Sequence, residues 1–144
     1  MRSKTIFAVA ILFGLARSAF ALKPISINVV SNLQFGIGVQ GDGSIIVIPS
    51  TSETADNASF AVAGHNNTAY SIVLPSSAAL TTGAGGANET IAVNNFSSYP
   101  AQGANGLLNS TGSQNLFVGA TRGTLLTNQA TGSYTGTFTI TVVY

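Results

Sequence analysis

Apolar side chains at every second position, in short runs broken by glycine and proline, are the feature that most narrows what this chain can become. Ile25, Ile27 and Val29 alternate with Ser26 and Asn28, and Leu33 and Phe35 flank Gln34. A period of two sends successive side chains to opposite faces of a strand, so each run specifies a ribbon with one buried face. Further strands are expected over residues 44–48, 58–63, 70–74, 90–96, 116–118 and 123–126. The longest alternation closes the sequence at 134–144, where Tyr134, Phe138, Ile140, Val142 and Tyr144 are interleaved with glycine and threonine. Gly41-Asp42-Gly43 is a tight-turn signal, because glycine tolerates positive φ and Asp-Gly favours hairpins. Residues 50–57, 64–68 and 82–88 read as loops, as does the polar stretch carrying Pro100, Gly103 and Gly106. No amphipathic helical spacing occurs beyond the first two dozen residues. The expected fold is all-β: a single sandwich of about seven to nine short, mainly antiparallel strands.

The leading residues follow a different pattern. Arg2 and Lys4 precede an apolar run over 5–15, and Ala19-Phe20-Ala21 has the small-x-small form that signal peptidase cuts after. That run is roughly 11 residues, short of the ~20 needed to cross a bilayer as a helix. Residues 1–21 therefore read as a cleavable export signal and 22–144 as one domain, with no transmembrane segment in the mature chain. The destination is the periplasm, the cell surface or the medium. Cleavage also reverses the charge: Lys23 and Arg122 remain against Asp42, Glu53, Asp56 and Glu89, a net of −2. Two isolated cations cannot form the basic patch that nucleic acid requires. Charged residues make up only 6% of the sequence and cysteine is absent. The core and strand ladders must hold this exported domain without disulfides.

The landmarks, taken in order, resemble a known family. They are Pro24-Ile25-Ser26-Ile27, Leu33-Gln34-Phe35-Gly36, Val47-Ile48-Pro49, the segments 58–64 and 70–75, and the closing run from Gly132 to Tyr144. This order is similar to that of the bacterial DUF 4402 domain family, exported single-domain proteins without an assigned function. The closing run is more distantly similar to the last strand of spore-coat-U and other chaperone–usher fimbrial subunits. That second resemblance implies an immunoglobulin-like, fimbrial-type sandwich that polymerises by donating an N-terminal strand to its neighbour. Ile25, Ile27 and Val29 are then the candidate strand-addition segment, and Tyr134, Phe138, Ile140, Val142 and Tyr144 the candidate assembly strand. The segment ahead of Leu33 is short for a donor, so pairing within its own chain is the preferred role.

Chemistry is sparse. The one histidine, His65, falls in a predicted turn and reads as a solvated loop residue rather than a catalytic base. Glu53 and Asp56 share a polar loop, too little for a glycosidase pair or a calcium site. Zinc lacks its usual ligands. Gly83-Ala84-Gly85-Gly86 is not followed by the Lys-Ser/Thr of a phosphate cradle. The expectation is a non-enzyme without cofactor: a structural subunit of a bacterial surface fibre or coat. Its partners would be copies of itself or a periplasmic chaperone and usher. The runner-up is an adhesive or carbohydrate-binding module that takes a glycan, with Phe96 or Tyr99 as stacking platform. A small outer-membrane barrel ranks lower, since only the last run approaches the ~9–11 residues of a membrane strand.

Overall fold

The computed structural model describes residues 21–144; the export signal expected at 1–21 lies outside the described residues except for Ala21. Nine strands form two antiparallel sheets, with no helix among the described residues. They are β1 (Ser26–Ser31), β2 (Ile45–Ile46), β3 (Ala58–Ala63), β4 (Ala69–Val73), β5 (Ser77–Thr81), β6 (Thr90–Tyr99), β7 (Gly103–Leu107), β8 (Ser113–Arg122) and β9 (Thr141–Val143). The larger sheet runs β1-β3-β8-β6-β5, with β2 also on β8; the smaller runs β7-β4-β9. Among the described residues, no helix is long and apolar enough to cross a membrane.

β8 organises the larger sheet. One of its edges is shared: β3 pairs with residues 113–118, and β2 pairs with Thr121 and Arg122. Between these partners, a Cβ on Gly119 would stand 2.1 Å from the Val47 carbonyl oxygen, so only glycine admits the approach. The core joins both sheets. Phe60, Val62, Val93, Phe96, Leu116 and Val118 of the larger sheet meet Tyr70 and Ile72 of the smaller one. Their alternation along each strand is what buries one face and leaves the other in solvent.

Several sequence expectations change in detail. The expected strand at 44–48 contracts to Ile45–Ile46. That at 116–118 grows into a ten-residue strand that ends at Arg122, and the strand expected at 123–126 does not form: residues 123–126 lie outside the ladders. Leu33-Gln34-Phe35 is extended but unpaired. Of the closing run, only Thr141–Val143 is laddered, because residues 133–140 cross from the rim of the larger sheet before joining β4. Two strands were not anticipated. β5 (Ser-Ala-Ala-Leu-Thr) has only Leu80 as a large apolar residue, and three of the five residues of β7 are glycine or asparagine.

The smaller sheet has three short strands against six in the larger. It leaves part of the larger sheet's inner face uncovered.

Candidate functional site

The uncovered region is a groove walled by two segments that lie outside the strands. The first wall, residues 32–40, leaves β1 and is tied down at few points. The Gln34 amide donates to the Asp56 carbonyl at 2.8 Å, and the Val39 amide donates to Asp42 Oδ2 at 2.8 Å. The backbone groups of residues 35–38 form no hydrogen bond with other described residues. The second wall, 133–140, is pinned at Thr135, which exchanges bonds of 2.9 and 3.0 Å with Thr81. From Gly136 to Ile140 its backbone again finds no partner among the described residues. Main chain with free amides and carbonyls can pair with a further strand, although Gly36, with φ of 68°, interrupts the first wall.

The floor comes from the larger sheet. At the narrower end Ala78, Leu80, Val93 and Phe96 underlie a cavity of about 430 Å³ bounded by residues 32–35 and 134–138. At the wider end the cavity is about 670 Å³ and reaches Ile91, Leu125 and Arg122. Leu33, Phe35 and Phe138 are only partly buried although they pack on the core. Ile37 is 99% exposed. The walls carry no charged side chain, so nothing repels an incoming apolar strand.

Of the candidate residues, Tyr134 and Phe138 line this groove, whereas Ile25, Ile27, Val29, Ile140, Val142 and Tyr144 lie outside it. Ile27 packs against the core from β1, which pairs with β3 of the same chain, and Ile25 does so from just ahead of it. Val29 departs from the expected inward face: it is 64% exposed, on an edge strand whose register shifts between Val29 and Ser31. In the closing run, Phe138, Ile140 and Val142 pack on the core. The Phe138 ring lies 6.3 Å from that of Phe60, edge-on, and 5.1 Å from that of Phe96. Phe96 is thereby occupied and is not a stacking platform; Tyr99 remains about half exposed.

Tyr134 and Tyr144 act as fasteners. The Tyr134 hydroxyl donates to the Ala130 carbonyl at 2.7 Å and accepts from Gln129 Nε2 at 2.9 Å, closing the wider end. The Tyr144 hydroxyl donates to the Lys23 carbonyl at 2.7 Å and accepts from the His65 amide at 2.6 Å. A Cβ on Gly64 would lie 2.2 Å from that hydroxyl, which is why the turn after β3 has no side chain there. His65 thus contributes its backbone to a structural link, while its Nδ1 faces the Lys23 amide at 3.5 Å.

The glycine-rich loop after β5 turns inward on its own chain. The Thr82 hydroxyl donates to Glu89 Oε2 at 2.6 Å. With the amides of Gly86, Gly85 and Ala84, it holds the Glu89 carboxyl below its ordinary pKa. Glu53 and Asp56 stay exposed in the loop before β3. No group of three His, Asp or Glu side chains able to hold a metal occurs among the described residues.

Sequence reasoning missed two groove residues. Arg122 is 3% exposed at the end of β8, and Gln129 is equally buried behind Tyr134. Neither lies in a motif, and only the three-dimensional path of 32–40 brings them to the groove.

Two antiparallel sheets closed around one apolar core define an all-β sandwich. The chain belongs to the family described as a domain of unknown function, DUF4402, whose model matches residues 25–144. No curated protein and no solved structure matches the chain.

Proposed function

We propose that this protein is an exported structural subunit of a bacterial surface fibre or coat, and that it takes an extended strand from a neighbouring polypeptide into the groove. The observation that carries this reading is the pair of unpaired walls, 32–40 and 133–140, over an apolar floor. An inserted strand would bond to the free backbone of either wall. Every second side chain would point down toward Leu80, Val93 and Phe96. Burial of apolar surface contributes roughly 25 cal/mol per Å², and together with the main-chain hydrogen bonds it works against the ordering cost of association. The similarity of the closing run to spore-coat-U and chaperone–usher fimbrial subunits supports the same role. The immunoglobulin-like topology, the export route and the chaperone or usher partners belong to this reading. It involves no catalytic step and no cofactor.

Surface extracts of the native bacterium, run unheated and then boiled in denaturing gels, test it. A heat-sensitive ladder is expected, and Phe35→Asp, which puts a charge on the groove wall, should abolish it. Monomer alone in unheated extracts would refute the fibre role. The alternative, an adhesive module that binds a glycan, rests on half-exposed Tyr99. Glycan-array binding that is lost in Tyr99→Ala would favour it.

A further inference from the structure

Arg122 adds a chemical requirement to the groove. It is 97% removed from solvent, yet its guanidinium is only partly satisfied: Nη2 donates to the Gly43 carbonyl at 2.7 Å, and Nε has no hydrogen-bond partner. Arginine stays protonated in proteins, so this is a fixed positive charge. A buried charge with unfilled donors is costly until a counter-charge meets it. Asp42, just beyond the first wall, is the nearby acid: its Oδ2 accepts the Val39 amide and lies 3.5 Å from a Cβ on Gly38, yet it makes no hydrogen bond to the guanidinium. Arg122 is the only charged side chain lining the wider cavity. A Cβ on Gly38 would stand 2.6 Å from Nη1, which places the guanidinium directly against the first wall.

From this geometry we propose that the strand received by the groove carries a carboxylate at the end that reaches the wider cavity, where it pairs with Arg122. The inference rests on the strand-acceptor reading and sharpens it. A carboxylate matches the planar donor fork of arginine, and such charge-assisted bonds are the strong ones. Charge complementarity also indicates whose strand it is. Residues 22–31 of this chain contain Lys23 and no acid. The leading segment of a second copy therefore lacks the acid, and the occupant that fits is an alternating, apolar, acid-tipped segment of a different polypeptide.

The test uses the 22–144 chain and four synthetic peptides, each with the sequence of residues 25–31 extended at one end or the other by Asp or by Asn, acetylated and amidated so that the Asp side chain is the one carboxylate present. Binding is measured by calorimetry. Arg122 is the only arginine of residues 22–144, so its Nε–H signal in nitrogen-15 NMR reports on the site without assignment. For one of the two placements, the Asp peptide is expected to bind about tenfold more tightly than its Asn counterpart. It should shift the Nε–H signal, and the Asn peptide should not. In Arg122→Gln the advantage should shrink to within about twofold while the Asn peptide keeps its affinity. Should Arg122→Gln fail to fold, the wild-type comparison and the NMR signal decide alone. Equal binding of Asp and Asn peptides overturns the carboxylate and leaves the strand-acceptor reading intact. An Asp advantage that persists in Arg122→Gln also overturns it. Failure of all four peptides to bind removes the acceptor reading and the inference with it.

Discussion

Tyr144 joins three distant parts of the chain through one oxygen. Its hydroxyl bonds the carbonyl of Lys23 ahead of β1 and the amide of His65 after β3, while its backbone continues β9. Tyr144→Phe removes both bonds and keeps the ring, so a loss of about 1 kcal/mol is expected in chemical denaturation. Tyr70 makes a different prediction. Its ring is buried beside Gly106, and its hydroxyl donates to Gln114 Oε1 at 2.8 Å. Burial pushes the phenol up from 10.0 to about 12. Below pH 10 both folded and unfolded states keep the proton. Above it the unfolded phenol ionises while the folded one does not, so folding stability falls as pH rises toward about 12. The slope reaches at most about 1.4 kcal/mol per pH unit. Denaturation curves between pH 9.5 and 11.5 should show this fall in the wild type and a shallower one in Tyr70→Phe.

The elements differ in how firmly their own sequences specify them. β3, β4 and β6 were legible because Phe60 and Val62, Tyr70 and Ile72, and Ile91 and Val93 alternate with polar neighbours and end up buried. β5 and β7 were not, because small and polar residues carry little propensity. Their pairing is imposed by β6 and β4, against which they lie. The closing run shows the opposite case. Its alternation fits a long strand, and Phe138 and Ile140 do pack inward, but residues 136–140 have no neighbouring strand to bond. Sequence pattern reports which side chains are buried; it does not report whether a ladder partner exists. Phe138 is the anchor of that stretch. Phe138→Ala should cost about 2–3 kcal/mol, below the usual figure for a fully enclosed phenylalanine because its ring is only partly buried. Thermal unfolding would measure it, and a loss under about 0.5 kcal/mol would mean that the second wall is not seated on the core.

At the scale of the whole molecule, the imbalance between the sheets is the decisive property. Six strands offer an inner face that three short strands do not cover, and the two connecting segments that border the gap keep their backbone groups free. Composition foreshadowed the lack of charge along these segments, and hence the absence of the usual block against strand addition. The groove itself was hidden, because its walls come from residues about 100 positions apart in the chain. Arg122 was hidden for the same reason. Hydrogen exchange on the 22–144 chain tests this account most directly, read at the amides of residues 35–38 and 136–140 with and without the acid-tipped strand peptides. The account predicts rapid exchange in the free protein and strong protection in the complex. Protection already present in the free protein, or amides that stay fast with peptide in excess, would contradict it.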